Sequence, residues 1–389
     1  MQSVGKLNRR VLLVVSCLTA AYMASNALPQ LRGLIPGDSP SFYFGARMVV
    51  EGEVSRLYDP WAIDEQWQGL RGEQVYREAA KHDNYFLRPA FAALLLAPFG
   101  WLSFYQFWPL FGFLSVAGAL LIAWKFPTWF GRLAEQRDWA PWTVAYFPFV
   151  FAIGEGQDTI ILTLCLGASL ALILSGRQVA GGGLAALLLV KPHLAWGLPL
   201  ALLAIGKRRA VVAFAGVGGV LLIGSAALVG VDGLRQWAAL LDSPRTDLVP
   251  QAMFNLRALA FEAGDHVAFL VAATVGVSAI AVLLRGATAD RLAVGVLAPL
   301  LFSPHTYAQD LALCAVLPYL TKSKVVTWAV LAPWLYLMPP GRGGNWVFLA
   351  LASAYLGQRA FEIVRPSALT SITAPAAGSN SITLQGGTD

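Results

Sequence analysis

The feature that most constrains this chain is a succession of long apolar runs separated by short segments that carry the charged residues. Of the 389 residues, 57% are hydrophobic and 13% are charged, whereas a soluble domain has about 45–50% apolar and about 25% charged residues. Because a helix needs roughly 20 apolar residues to cross a bilayer, repeated runs predict many crossings rather than one anchor. A water-soluble enzyme and a disordered protein are both excluded.

The runs predict an all-α, polytopic membrane protein with about 12 transmembrane helices. The first, 11–28, follows basic residues and has no small-residue cleavage site after it, so an uncleaved helix is expected. Segment 86–102 is broken by Pro89, Pro98 and Gly100 and is predicted to be a partial or surface-lying helix. The other predicted spans are 104–124, 141–155, 157–175, 178–190, 193–206, 210–230, 267–284, 292–302, 307–320, 325–338 and 345–358.

The distribution of Lys and Arg predicts the orientation, because cytoplasmic segments carry an excess of these residues. It places both termini in the cytoplasm. Residues 1–365 are then one membrane domain, in which 30–102 form an outer loop with juxtamembrane helices, including a surface helix from Trp61 to Ala80. Residues 366–389, rich in Ser, Thr, Gly and Ala, are predicted to be a disordered cytoplasmic tail.

The net charge of +6 does not indicate nucleic-acid binding, because the basic residues lie in small clusters between apolar runs. Cys17, Cys165 and Cys314 each lie within an apolar run, where cysteine behaves as a small hydrophobe. Neither a disulfide framework nor a metal-ligand spacing is present, and no cofactor is predicted.

Several predicted spans are too short to cross a bilayer. Spans 178–190 and 193–206 meet at Lys191-Pro192-His193, and spans 292–302 and 307–320 meet around Ser303-Pro304-His305. A helix that ends within the membrane leaves unpaired backbone groups, which only a water-filled or protein-lined cavity can satisfy. The pattern therefore predicts a cavity that opens on the non-cytoplasmic side.

Ionisable residues at membrane depth are costly and indicate function, and here they gather at the predicted outer junctions. A carboxylate near the bilayer surface can take a proton from a hydroxyl, and cations such as Lys191 and Arg88 can hold a phosphate to which histidines donate hydrogen bonds. This outline predicts group transfer from a lipid phosphate to a hydroxyl. The polar and charged residues that gather in this predicted region are Asp38, Arg88, Glu155, Gln157, Asp158, Lys191, His193, His305 and Asp310.

Structural interpretations of the same residues stay open. Asp38 has two, as the cap of a helix from about Ser39 to Val50 or as a base. Glu155 and Asp158 are typical of a helix start, where acids are favoured. Lys191 lies far from either charged loop, so a functional role is favoured over a side chain that only extends to the membrane surface. The same buried charges also fit a flippase or transporter of lipid-linked sugars, or a structural membrane subunit.

The order of short motifs resembles the GT-C superfamily of polyprenyl-phosphate-sugar-dependent glycosyltransferases, and in particular glycosyltransferase family 87, over about residues 5 to 360. One departure is visible, since the family more often has Tyr-Pro-Pro where this chain has Leu87-Arg88-Pro89. The motifs are Asp38 with Phe42-Tyr43-Phe44-Gly45-Ala46, Leu57-Tyr58-Asp59-Pro60, Phe86-Leu87-Arg88-Pro89, Gly156-Gln157, Lys191-Pro192-His193, Asn255-Leu256-Arg257 and Ser303-Pro304-His305.

The resemblance implies an inverting, metal-independent hexosyltransferase of a bacterial inner membrane, with its active site facing the periplasm. Asp38 would be the general base, and mannose, the best-supported sugar of the family, would pass from a polyprenyl phosphate to a hydroxyl of a lipid or glycan acceptor. From the chemistry of the residues, the predicted donor-phosphate ligands are Arg88, Lys191, His193 and His305. The predicted sugar or acceptor contacts are Tyr43, Glu155, Gln157 and Asn255.

Overall fold

A computed structural model describes residues 38–62, 65–66, 85–130, 146–242, 252–321, 323–333 and 343–365. These residues form helices and connecting turns, with no β-strand among them, which confirms the all-α prediction for this part of the chain. The α-helices are α1 (Ser39–Val50), α2 (Ala90–Leu96), α3 (Phe104–Phe130), α4 (Phe147–Gly154), α5 (Thr159–Leu174), α6 (Gln178–Ala185), α7 (Pro192–Ala195), α8 (Gly197–Ala204), α9 (Arg208–Leu241), α10 (Leu256–Ala263), α11 (Asp265–Arg285), α12 (Thr288–Phe302), α13 (Leu317–Leu320), α14 (Lys324–Leu331) and α15 (Gly343–Val364). The 3₁₀ segments are Val54–Arg56, Ala97–Trp101, Ala186–Val190 and Ala308–Val316.

Helices long and apolar enough to cross a membrane number four in the described part of the chain: Phe104–Phe130, Arg208–Leu241, Asp265–Arg285 and Asn345–Val364. Shorter apolar helices lie on four of the other predicted spans, 157–175, 178–190, 193–206 and 307–320. The structure therefore supports a membrane protein but does not confirm about 12 crossings.

Segment 86–102 was predicted as a partial helix, and the structure has α2 and a 3₁₀ turn there, together spanning only Ala90–Trp101. The chain stays helical after the predicted end of the span at 230, but the non-helical Gly230, with φ of 69° and ψ of −176°, divides α9 into two helices at that residue. Glycine adopts this conformation easily, whereas it is strained for other residues. The part after Gly230 reaches the segment before α2, where Trp237 Nε1 donates a hydrogen bond to the Leu87 carbonyl over 3.2 Å.

Close backbone packing positions α1 against α2 and its 3₁₀ extension. A Cβ atom at Gly100 would lie 2.5 Å from the Ala46 carbonyl oxygen, and one at Gly45 would lie 2.6 Å from the Phe86 ring. Any larger side chain at either position would force the two elements apart. This contact holds the start of α1, with Asp38, beside the segment that carries Arg88.

Some predicted features lie outside the described residues. They are the first helix over 11–28, nearly all of the surface helix from Trp61 to Ala80, residues 141–145 and 334–338 of two spans, and the tail over 366–389.

Candidate active site

Asp38 and Asp158 both occupy the N-cap position of a helix, α1 and α5 respectively, yet neither side chain accepts a capping hydrogen bond. Asp158 thus stands at a helix start, as one interpretation of the sequence predicts, while its carboxylate bonds elsewhere. For Asp38, the capping interpretation does not hold in this structure. Both carboxylates are therefore available for other partners.

A tight turn between α4 and α5 carries the residues that meet Asp38. Gly156 adopts φ of +61°, which lets the chain reverse. The Gln157 backbone nitrogen donates a hydrogen bond to the Ala152 carbonyl over 2.7 Å. The Asp38 backbone nitrogen donates to the Glu155 carbonyl over 3.1 Å. The turn and the start of α1 are thus joined through the backbone.

The Gln157 amide lies at the centre of the site and is 2% exposed. Its Nε2 donates a hydrogen bond to Asp38 Oδ2. Its Oε1 accepts hydrogen bonds from Arg88 Nη2 and from Lys191 Nζ, each over 3.3 Å. One amide therefore joins the carboxylate that sequence analysis selected as a base to the two cations that it selected as phosphate ligands.

Lys191 is 3% exposed and lies at the break between the Ala186–Val190 turn and α7. Its Nζ is 2.6 Å from Asp310 Oδ1 and 3.5 Å from Asp158 Oδ1. Asp310 Oδ2 in turn accepts a hydrogen bond from the Tyr307 backbone nitrogen over 3.1 Å. A charge this deeply buried requires such partners, because removing it from water is costly.

Arg88 reaches the same cluster from the loop before α2. Its Nε is 3.3 Å from Asp158 Oδ2, and its guanidinium lies 5.5 Å from the centroid of the Phe42 ring. The Arg88 carbonyl accepts a hydrogen bond from the Tyr58 hydroxyl over 2.7 Å. Backbone and side chain of Arg88 are therefore both held, which fixes the guanidinium beside Gln157 and Asp158.

The histidines of two separate motifs form a pair. The ring centroids of His193 and His305 are 4.2 Å apart, and His193 Nε2 is buried without a hydrogen-bond partner. Burial lowers the pKa of His305 to about 4; Asp310 raises this pKa, while Lys191 lowers it. His305 is accordingly neutral near pH 7, and it can exchange hydrogen bonds with a ligand without adding charge.

Glu155 is half-buried at the end of α4, so the helix-start interpretation does not hold for this residue. Burial, reinforced by the negative charge of Asp38, raises the pKa of Glu155 to about 7. A carboxyl that is partly protonated near neutral pH can donate a hydrogen bond as well as accept one.

Tyr43 and Asn255, the other two selected residues, make contacts within the protein. The Tyr43 hydroxyl donates to the Leu102 carbonyl over 3.1 Å. Asn255 caps α10 by accepting from the backbone nitrogens of Arg257 and Ala258, and its Nδ2 donates to the Ser303 carbonyl over 3.0 Å. Asn255 thus ties α10 to the Ser-Pro-His motif, and the structure does not bring it into the cluster around Gln157.

Sequence reasoning placed Asp158 and Asp310 among the gathered residues but did not pair these carboxylates with Arg88 and Lys191. A buried lysine signals that an acid must accompany it, but the sequence does not indicate which acid. Among the described residues, no group of three or more His, Cys, Asp or Glu side chains is arranged to hold a metal ion.

The cluster combines the parts that a group transfer needs. Asp38 Oδ2 accepts a hydrogen bond from Gln157, and Asp38 is only partly buried. Two cations lie one amide away, where they can stabilise negative charge that develops on a leaving group. A carboxylate and a pair of cations are therefore adjacent without being in direct contact.

The family model for glycosyltransferase family 87 matches residues 86–304, more than half of the chain. The match includes Arg88, Gln157, Asp158 and Lys191, and it ends just before His305. No curated protein and no solved structure matches the chain. Because the family model covers more than half of the chain, the chain belongs to glycosyltransferase family 87.

Proposed function

We propose that this membrane glycosyltransferase moves a hexose, mannose in the first instance, from a polyprenyl phosphate to a hydroxyl of a lipid or glycan acceptor. Asp38 takes the proton of the acceptor hydroxyl, whose oxygen forms a bond to the anomeric carbon. The bond from that carbon to the phosphate oxygen breaks, and its electron pair leaves with the phosphate. Attack on the face opposite the leaving group inverts the configuration of the sugar.

The observation that carries this proposal is the Gln157 amide, which bonds Asp38 on one side and Arg88 and Lys191 on the other. A general base must lie close to the hydroxyl while the leaving group is stabilised a few ångströms away. The family membership supports glycosyl transfer as the reaction.

The charges around the cations suit a leaving group whose charge grows during the reaction. The donor is a phosphodiester with one negative charge, and the polyprenyl phosphate that leaves is a monoester that carries up to two. Asp158 and Asp310 already balance Arg88 and Lys191 in the resting site. The two carboxylates compete with the donor phosphate for the cations, so the site holds the donor weakly, while each cation can stabilise the added negative charge of the leaving group where it contacts it directly. His193 and His305 supply hydrogen bonds to the phosphate, and Glu155 contacts the sugar or the acceptor.

The proposed setting is a bacterial inner membrane with both termini in the cytoplasm and the site on the periplasmic side. The support is the distribution of Lys and Arg, which favours this orientation. Lipid-linked monophosphate sugars lie in the bilayer, and a site beneath the outer leaflet would receive them without a nucleotide.

The test is to incubate the purified protein, reconstituted in nanodiscs, with labelled polyprenyl-phosphate-mannose and a lipid extract, and to identify any glycosylated product by mass spectrometry. We expect label in a lipid or glycan product with inverted anomeric configuration, and its loss in Asp38→Asn. Parallel reactions with polyprenyl-phosphate-glucose and a pentose donor test the sugar. Proteoliposomes that translocate the donor without transferring the sugar would overturn the proposal in favour of transport.

A further inference from the structure

The carbonyl groups of Leu87 and Arg88 both accept hydrogen bonds from aromatic side chains. Trp237 Nε1 donates to the Leu87 carbonyl over 3.2 Å, and the Tyr58 hydroxyl donates to the Arg88 carbonyl over 2.7 Å. The two aromatic rings stack on each other, with centroids 5.8 Å apart and an interplanar angle of 25°. These carbonyls belong to the two peptide groups that flank the Arg88 Cα atom. The bonds therefore fix the direction in which the Arg88 side chain leaves the backbone.

Trp237 reaches this segment from α9, and the first half of α9 holds the same segment at a second point. Before the break at Gly230, Ser225 Oγ accepts a hydrogen bond from the Phe91 backbone nitrogen over 2.9 Å, at the start of α2. Trp237 follows Ser225 by 12 residues, so on an uninterrupted helix the two side chains would point about 120° apart. Because Gly230 interrupts the helix, the second half of α9 (231–241) can turn Trp237 towards the segment that Ser225 contacts.

The contacts of the Arg88 guanidinium itself are long. Its Nε is 3.3 Å from Asp158 Oδ2, and its Nη2 donates to Gln157 Oε1 over 3.3 Å. Hydrogen bonds between a guanidinium and a carboxylate are typically about 2.7–2.9 Å. The side-chain contacts alone therefore hold the guanidinium weakly, and its position depends on the backbone from which it extends.

We infer that Trp237 is a positioning residue for Arg88: with Tyr58, it fixes the backbone from which the guanidinium is presented to the donor phosphate. The inference rests on the proposed function, in which Arg88 contacts that phosphate. Trp237 acts through the Leu87 carbonyl and not through contact with the substrate. The second half of α9 then serves donor binding, although it lies outside the cluster around Gln157.

The positioning affects the phosphate and not the lipid chain of the donor. A guanidinium binds a phosphate best through two parallel hydrogen bonds from its planar fork, so a small displacement weakens both bonds. Without the Trp237 N–H, the Leu87 carbonyl loses its partner, and the peptide group before Arg88 is free to rotate. The isoprenoid chain is bound by apolar contacts, which this rotation leaves unchanged.

The experiment measures the binding of farnesyl phosphate and of farnesol to the reconstituted full-length protein by titration calorimetry, with empty nanodiscs as the blank. The two probes share an isoprenoid chain and differ in the phosphate. Trp237→Phe keeps an aromatic ring beside Tyr58 and removes the N–H donor. We expect it to weaken binding of farnesyl phosphate roughly 5-fold, which corresponds to the net energy of one hydrogen bond. Binding of farnesol should change by less than about 2-fold, because no phosphate is involved.

Tyr58→Phe removes the donor to the Arg88 carbonyl and provides a second variant, in case Trp237→Phe does not fold. It should show the same selective loss of farnesyl phosphate binding. In the Arg88→Gln protein, adding Trp237→Phe should cause no further loss, because the residue through which Trp237 acts is gone. Trp328→Phe and Tyr105→Phe, at exposed side chains, are the matched controls and should leave both affinities unchanged.

The outcomes separate this inference from the proposed function. If the wild type prefers farnesyl phosphate to farnesol but Trp237→Phe and Tyr58→Phe keep that preference, Trp237 does not position Arg88, and the phosphate site stands. Equal losses for both probes would show a structural role and would also overturn the inference, as would a further loss from Trp237→Phe in the Arg88→Gln protein. If the wild type binds both probes equally, the phosphate site of the proposed function itself fails.

Discussion

Lys191 Nζ and Asp310 Oδ1 are 2.6 Å apart although the two residues are 119 positions apart in the chain, and both are almost completely buried. The pair connects two junctions between short apolar helices. One is the break at Lys191, directly before α7, and the other is the segment after α12. The pair thereby holds the two histidine motifs together, since His193 follows Lys191 by two residues and His305 precedes Asp310 by five.

We predict that Lys191→Met destabilises the protein strongly, because Asp310 would be left as a buried charge without its main partner. Breaking such a pair costs about 3–5 kcal/mol. The double variant Lys191→Met/Asp310→Leu should recover most of the lost stability, because well-packed apolar side chains replace a buried pair at little cost. Sugar transfer should be lost in both variants. Thermal unfolding and transfer assays on the reconstituted protein measure the two effects separately.

The control for this cycle is Arg235 with Asp232, an ion pair of 2.9 Å whose two side chains are exposed. Removing either residue should change the stability by less than about 1 kcal/mol. If the double variant is no more stable than Lys191→Met, the broken Lys191–Asp310 pair is not the source of the lost stability. Transfer activity in the double variant would exclude Lys191 from phosphate binding.

The sequence predicted which residues are at the site better than how they are bonded. Charged residues at the ends of short apolar runs predicted that polar side chains gather, and Asp38, Arg88, Gln157 and Lys191 do meet in one cluster, while the predicted cavity stays a prediction. Their pairing was not predictable, because it depends on how distant helices pack. The acid that accompanies Lys191 could have been any carboxylate on the same side.

Helix positions were also predictable from hydropathy, whereas the number of crossings was not. An apolar run such as 193–206 has the composition of a membrane helix, but Pro192 starts a short helix and Trp196 separates it from α8. Local backbone breaks of this kind divide one hydropathy peak into pieces. Hydropathy averages over a window and does not register them.

Asp38→Asn should lower kcat for sugar transfer by about 10²- to 10⁴-fold, the usual contribution of a general base. The asparagine keeps the size of the side chain, so expression, folding and donor binding should be unchanged. Asp242→Asn, at an exposed residue after α9, is the matched control and should keep full activity. Turnover near the wild-type level in Asp38→Asn would remove Asp38 from the role of base.

Asp158→Asn should increase the affinity of the site for polyprenyl phosphate. The Asp158 carboxylate is 3.3 Å from Arg88 Nε and 3.5 Å from Lys191 Nζ, so it competes with a phosphate for both cations. Neutralising it should strengthen product inhibition by roughly 5- to 10-fold, equivalent to about 1 kcal/mol. Inhibition of transfer by added polyprenyl phosphate measures the effect, with Asp232→Asn as the control. Weaker product inhibition in Asp158→Asn would mean that Asp158 orients the cations and does not compete with the phosphate.

Glu155 should contribute stability at low pH that is lost as the pH rises from about 4.5 to 7, whereas His305, whose pKa is lowered to about 4, contributes in the opposite direction. The pKa of Glu155 is raised from 4.5 to about 7 in the folded protein. Between these values the unfolded chain has lost the proton that the folded protein still binds, so increasing pH favours unfolding. The contribution is at most about 3 kcal/mol, fully present below the unfolded pKa and lost above the folded one. Thermal unfolding followed by tryptophan fluorescence from about pH 4 to 8 should show that the Tm of the wild type falls relative to that of Glu155→Gln between about pH 4.5 and 7. Glu262→Gln, at an exposed glutamate on α10, should follow the wild-type profile, and an identical profile for Glu155→Gln would show that Glu155 does not hold its proton in the folded protein.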